Sequence, residues 1–292
     1  MMRRSGEKAV EVLLFLSALS SIGITVGIVG ILLYESFIFF KQVSVIDFLT
    51  DKQWTVLFAD PHYGIMPLVT GTAVTSAVAL LVALPLGTVI AIYLSEYASN
   101  TAREIVKPAL EMLSAVPTVV FGYFALLFVT PLLQHLLPNL PGFNMLSAGI
   151  VIGVMIIPYV SSLSEDAMKA VPAQIREGSY AMGATRLQTA LRVLFPSAFS
   201  GIASAYVLGF SRAVGETMVV AIAAGQQPNL TLNPMEGAAT ITAYIVQVSL
   251  GDLPHGSVAY QSIFAAGLTL MLMTLVFNIG GYLLRKKFRE IY

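Results

Sequence analysis

The chain has 292 residues, of which 57% are hydrophobic and only 11% charged, with a mean hydropathy of +0.81. A soluble domain carries about a quarter Asp, Glu, Lys and Arg, so too little polar surface remains for a water-facing globule of this size. Zero net charge and zero cysteine exclude bulk attraction to nucleic acid, disulfides and thiolate metal sites.

A spanning helix needs about 20 mostly apolar residues. Residues 12–34 form an uncharged run of 23 between Glu11 and Glu35. It exceeds an ordinary signal-peptide core and has no small-x-small cleavage site before Glu35, so it is predicted to be an uncleaved first span. Gly23, Gly27 and Gly30 give it a small-residue face, expected to pack on another span. In the outer loop 41–66, Trp54 (the sole tryptophan) is expected to be a membrane-interface anchor, with Tyr63 nearby. The next uncharged block, 61–95, can span once through its apolar part, 68–94.

Residues 112–164 are 53 uncharged positions, enough for two crossings near 112–135 and 145–163. The run Leu137-Pro138-Asn139-Leu140-Pro141-Gly142 parts them, because two prolines and a glycine make a turn. Pro85, Pro117, Pro131 and Pro158 are expected to kink spans. Thr70, Thr72, Thr75 and Ser76 suit either a polar path or helix–helix contacts. The candidate at 198–224 contains Arg212 and Glu216, which a continuous helix would place on one face as an ion pair. Residues 237–250 are too short to cross and read as an interfacial or re-entrant helix on the outer side. The last span, about 260–284, ends at Arg285-Lys286-Lys287.

The count is six spans, with both termini inside. That arrangement puts 13 of the 16 basic residues on the inner side: Arg3, Arg4, Lys8, Arg103, Lys107, Lys169, Arg176, Arg186, Arg192, Arg285, Lys286, Lys287 and Arg289. Only Lys41 and Lys52 fall outside, and Arg212 falls within a span. This is the asymmetry expected of a cytoplasmic inner side.

The chain has no Gly-x-x-x-x-Gly-Lys-Ser/Thr, no His-Glu-x-x-His and no Gly-x-Ser-x-Gly. His62, His135 and His255 stand alone in the sequence, so neither a catalytic nor a metal site is expected. No inverted repeat is evident, which weakens a secondary-carrier reading.

The longest inner connection, 164–197, carries Pro172 at the start of a helix, Gly183 at a change of direction and Pro196 near the next span. A helix–Gly–helix elbow along the inner face is predicted. Glu177, then Gly183 six residues on and Pro196 nineteen after the Glu, resembles the EAA loop of ABC-importer permeases, with Gly178 and Ser179 replacing the usual two alanines.

The resemblance extends over nearly the whole chain from about residue 45. Trp54, Gly64, Pro67, Leu68, Gly71 and Thr72, then Pro85-Leu86-Gly87, resemble the C-type permease subunit of the bacterial phosphate (Pst) transporter. So do Ile92-Tyr93-Leu94-Ser95-Glu96-Tyr97-Ala98, Val116-Pro117-Thr118-Val119-Val120-Phe121-Gly122 and Ser211-Arg212-Ala213-Val214-Gly215-Glu216-Thr217. This family implies an all-α polytopic membrane protein with a type I ABC-importer permease fold, in the bacterial inner membrane. Residues 1–66 would be an N-terminal span and outer loop, 67–284 the permease core and 285–292 a cytoplasmic tail.

The same resemblance implies that Glu177, Tyr180, Gly183, Ala184, Arg186 and Pro196 couple the chain to a separate ATPase. The implied partners are an A-type permease in a heterodimer, two ATP-binding subunits, an external phosphate-binding protein and membrane lipid, but no nucleic acid. ATP is bound by the partners, and no cofactor is expected in this chain. An ionised residue at mid-membrane is costly unless it is paired or wet. Arg212, Glu216 and Thr217 are therefore the candidate substrate path, with a packing ion pair as the competing reading for the two charges. The alternatives in function are the A-type partner, a permease for another oxyanion and, more distantly, an ATP-independent channel or carrier.

Overall fold

The computed structural model describes residues 2–56, 58–251 and 253–287. Arg289 and the rest of the 288–292 tail lie outside the described residues, as do the side chains of Arg3 and Arg4. Among the described residues the fold is all helix, with a single isolated backbone bridge between Trp54 and Tyr63.

The elements in chain order are α1 (Met2–Phe40), α2 (Val45–Thr50), α3 (Met66–Tyr97), α4 (Asn100–Ser114), α5 (Thr118–Leu136) and α6 (Met145–Lys169). Next come α7 (Ala173–Ala181), α8 (Arg186–Ser197), α9 (Phe199–Val214), α10 (Met218–Ala223), α11 (Ile241–Ser249) and α12 (Val258–Lys287). Five of them (α1 from Val10 onward, α3, α5, α6 and α12) are long and apolar enough to cross a membrane, and the bent pair α8–α9 brings the number to six.

The centre is the seam between α3 and α6. Gly149 and Gly153 of α6 lie against Val78, Val82 and the Thr75 and Ala79 carbonyls of α3, while Gly87 of α3 lies against Val160 of α6. Removing side chains at these points lets two backbones approach, which is how apolar helices gain contact where lipid offers no hydrophobic drive. Ile152, Met155, Ile156 and Val160 of α6 are buried around the seam. The glycines expected to do this work, Gly23, Gly27 and Gly30 of α1, have no described neighbour beyond their own helix backbone within 4 Å of a notional Cβ. α1 meets α12 only towards its outer end, where Leu32 contacts Gly267 and Gln42 approaches Gln261 at 3.4 Å.

The crossing expected near 112–135 starts later. α4 is amphipathic, has no buried residue and leaves Met112 72% exposed. Its exposed Glu104 and Glu111 suit a water-facing surface rather than a span, while Arg103 and Lys107 turn towards α6. Pro117 is the cap before α5 rather than a kink inside it. Pro131 comes after a π-turn at Ala125–Val129, where the Thr130 hydroxyl bonds the Ala125 carbonyl at 3.0 Å. Wide turns of this kind absorb the hydrogen bond that proline lacks.

α4 is tied to the inner end of α6 by Glu165, which is fully buried. Its carboxylate meets Lys107 at 2.9 Å, Lys169 at 2.5 Å and Arg103 at 3.4 Å. Lys107 also reaches Asp166 at 2.7 Å. A buried carboxylate is tolerable only with such company.

At the outer end, Trp54 is not an interface anchor. Only 2% of it is exposed, because its loop folds back on itself and places the indole edge-on to Tyr244, 4.9 Å between centroids, and against Phe48 and Tyr63. His62 likewise does not stand alone: its Nδ1 lies 2.8 Å from Asp51, and its Nε2 lies 3.6 Å from Asp60.

Candidate functional site

The span predicted at 198–224 is broken. Gly201 of α9 packs on Ala167 at the inner end of α6, and the Ala223 carbonyl at the end of α10 accepts from the Asn144 amide at the outer end of α6. The crossing therefore runs the length of α6 as α9 plus α10, interrupted at Gly215, Glu216 and Thr217. Alone, the 16 residues of α9 would reach about 24 Å, short of the hydrocarbon thickness.

Arg212 lies in the last turn of α9, about 16 Å along the helix from Gly201 and so near mid-depth. Its guanidinium carbon is 5.5 Å from the centroid of the Tyr159 ring on α6. Among the described residues Arg212 has no ion pair, and it is exposed on the outside of this chain. The expected pair with Glu216 does not form, because the helix stops between them. Glu216 is 5% exposed and turns to the next helix instead, where its Oε1 accepts from the Met218 and Val219 amides at 3.1 and 3.3 Å. It caps α10 as Asp or Asn caps other helices. The Thr217 hydroxyl, half-buried, donates to the Gly215 carbonyl at 3.2 Å.

α11 supports the break from the outer side. This is the 237–250 segment: its helix is nine residues long, buried at Ile241, Thr242, Ala243, Tyr244 and Val248, and seated against α3, α10 and α12. The Thr242 hydroxyl donates to the Glu216 carbonyl at 2.7 Å, and the Ile241 amide donates to the Thr72 hydroxyl of α3 at 3.0 Å. Thr72, Thr75 and Ser76 are each 2% exposed, so within this chain they make helix contacts rather than an open path.

At the inner end, α7, Gly183 and α8 form the predicted elbow. Gly183 takes φ +82°, and the amides of Met182, Gly183 and Ala184 bond back to Gly178, Tyr180 and Ser179. This is the left-handed helix ending that glycine permits. Thr185 and Gln188 then form a reciprocal cap that starts α8 at the exposed Arg186. Pro196 sits in the last turn of α8, and the chain bends by 77° between α8 and α9. Glu177 is exposed on α7, while Met182 and Leu187 stand 89% and 53% exposed at the tip. Tyr180, Gly183, Ala184 and Arg186 thus come together at the elbow, far along the chain's length from the break.

Sequence reasoning missed how the elbow is anchored. Glu96, at the inner end of α3, pairs with Arg176, whose Nε lies 3.0 Å away, and accepts the Tyr180 hydroxyl at 2.7 Å. Burial and the bond to Glu96 push the Tyr180 phenol above its ordinary pKa. Thr242 was missed as well. Glu96 was visible only as part of a matching segment, and no local pattern points from Thr242 to Glu216.

Residues 83–290 match the family described as binding-protein-dependent transport system inner membrane component. This chain belongs to that family. The permease is 36% identical over 265 residues to the probable ABC transporter permease protein YqgH of Bacillus subtilis, spanning 91% of this chain and 84% of the relative. It is 34% identical to phosphate transport system permease protein PstC 1 of Mycobacterium tuberculosis (75% of this chain, 71% of that one). It is 30% identical to PstC of Mesorhizobium japonicum (82% and 78%).

Among solved structures, the permease superposes on a chain of a bacterial alginate ABC transporter with a TM-score of 0.63 at 18% identity, covering 92% of each. On a chain of the MetNI methionine ABC transporter the TM-score is 0.57 at 18% identity, covering 78% of this chain and 95% of that one. At such identity the likeness is one of fold, and the fold is that of ABC-importer permeases.

Proposed function

We propose that this chain is the C-type permease subunit of an ATP-driven phosphate importer. It forms half of the translocation path with an A-type permease. One of two ATP-binding subunits engages the elbow, and an external binding protein delivers phosphate. Three features support the reading: the PstC relatives, the exposed elbow tip, and above all Arg212. A guanidinium at mid-span with no carboxylate partner among the described residues is costly in lipid and belongs beside a wet path. Its planar fork offers two parallel donors to a phosphate oxyanion.

In this reading Glu216 and Thr217 shape the break beside Arg212. Glu177, Tyr180, Gly183, Ala184, Arg186 and Pro196 build the surface that meets the ATPase. ATP binding closes the nucleotide-binding subunits, the elbow passes that movement to the spans, and they rock around the anion between inward-open and outward-open forms. Hydrolysis belongs to the partners.

The test is Arg212→Gln in the assembled complex, reconstituted with binding protein and labelled phosphate. Loss of a charge-assisted contact in the path should lower uptake by roughly tenfold to a hundredfold. Uptake at the unsubstituted rate in a correctly assembled complex would overturn the role of Arg212.

A further inference from the structure

We propose that Glu96 is the positioning residue that makes α3 the rod between the elbow and the break at Glu216. The inference rests on the elbow being the coupling element.

Glu96 spends both carboxylate oxygens on α7. Oε1 forms an ion pair with Arg176, 3.0 Å from its Nε, Oε2 accepts the Tyr180 hydroxyl at 2.7 Å, and the carboxylate's side chain is only 3% exposed. Arg176 and Tyr180 are four residues apart and so lie one above the other on α7. One acid therefore grips a full turn of the elbow, fixing its rotation as well as its distance. Removing one partner of a pair held in a nearly closed site leaves the other charge buried and unpaired, which costs more than breaking an exposed pair.

Glu96 lies in a π-turn, Tyr93–Tyr97, closed by the Ala98 amide on the Tyr93 carbonyl at 2.9 Å. Such turns rotate the residues beyond them relative to a regular helix and cluster at functional sites. Here the turn ends α3 at the residue that holds α7.

From Glu96 outward, α3 is one continuous helix that carries Pro85 within it. α3 is packed along its length on α6 through the glycine seam. Thr72, about 36 Å from Glu96 along α3, accepts the Ile241 amide of α11 at 3.0 Å, and Thr242 of α11 bonds the Glu216 carbonyl at 2.7 Å. The elbow and the break thus share one helix, through bonds at its two ends. A tilt of α7 carried by Glu96 reaches the backbone beside Arg212 without passing through the 77° bend at α8–α9.

The measurement is labelled phosphate taken up per ATP hydrolysed by the complete complex in liposomes, with binding protein supplied. Glu96→Gln should lower that ratio by about tenfold, Glu96→Asp should lower it less, and Tyr180→Phe should lower it in the same direction. Combining Glu96→Gln with Arg176→Gln should add little to either alone, since both remove one contact. If Glu96→Gln does not assemble, Tyr180→Phe carries the test, because it deletes a single oxygen. A wild-type ratio in Glu96→Gln, or in Tyr180→Phe where only that variant assembles, overturns the proposal. Gly183→Val separates the two ideas: a wild-type ratio there sinks the coupling role of the elbow itself. A lowered ratio there with unchanged Glu96 and Tyr180 variants sinks only the rod.

Discussion

The Thr242 hydroxyl donates to the main-chain carbonyl of Glu216 at 2.7 Å, across 26 residues of sequence. This bond ties a helix too short to cross the membrane to the crossing that is broken. Both groups are buried, so the carbonyl has no water to turn to when the hydroxyl is removed. Thr242→Val keeps the shape and deletes the donor, and should cost about 1–3 kcal/mol. The expected reading is a lowered melting temperature of the purified complex together with lowered uptake. Thr242→Ser, which keeps the oxygen, should sit close to wild type, and equal losses in the two variants would show that packing rather than the bond matters.

The sequence pointed to Gly23, Gly27 and Gly30 as a packing face, but the seam in this chain is built on other glycines. Gly149 and Gly153 face Val78, Val82 and backbone carbonyls of α3 so closely that added Cβ atoms have no room, whereas Gly23, Gly27 and Gly30 face open space. Gly153→Val should therefore overpack the seam by about 1–3 kcal/mol or prevent insertion of the folded subunit. Gly27→Val should leave the fold of the isolated subunit unchanged. Thermal melting and yield of the two variants, side by side, check the assignment.

The features legible in the sequence and those hidden in it fall on two sides of one division. Spans, sidedness and the elbow depend on local chemistry: runs without charge, lysines and arginines on one side, a glycine between two helix-forming stretches. These were readable, and the elbow's left-handed Gly183 lies where the pattern put it. The break at Gly215–Thr217 was not, because Arg212 and Glu216 at four-residue spacing fit a continuous helix just as well. The helix is ended by Glu216 turning to cap α10 and by Thr242 holding its carbonyl, a contact from far along the chain. Trp54 misled for the same reason: a tryptophan in an outer loop suits an interface until Tyr244 and Phe48 close over it. Glu96 and Arg176 are separated by a whole excursion across the membrane, so no spacing rule connects them.

The outer loop holds a pH-dependent clasp. The hydrogen bond to Asp51 is the main cause raising the His62 pKa above its ordinary 6.5, with the Asp60 charge adding to it. Burial pushes the Asp51 carboxyl up, but the His62 hydrogen bond and the Gln53 amide outweigh it, so its pKa falls below the ordinary 3.8. A raised histidine contributes stability that is complete below 6.5 and disappears as pH climbs through its folded value. A lowered aspartate contributes above 3.8 and is lost as pH falls through its folded value. The clasp is therefore strongest between the two. Hydrogen-exchange protection of the Thr55 and Gly64 amides, which bond His62 and Gln53 across the loop, should decline as pH rises above the raised His62 value once intrinsic rates are removed. In His62→Ala that decline should vanish; a decline that persists would assign it to another group.

Gly183 is the position where backbone geometry and coupling can be separated. Its φ of +82° costs a β-branched residue about 1–2 kcal/mol, yet nothing lies within 4 Å of where a side chain would stand. A substitution there disturbs the angle between α7 and α8 without crowding any neighbour. Gly183→Val should thus permit assembly while ATP hydrolysis becomes uncoupled from phosphate uptake. Gly183→Asn should restore coupling, because asparagine tolerates the left-handed region. The two variants differ little in bulk, so the contrast isolates the direction of the elbow. Should Gly183→Val support full uptake, the elbow's bend would have no part in passing force, and the exposed Met182 and Leu187 would be left as surface rather than as the tip that a motor pushes.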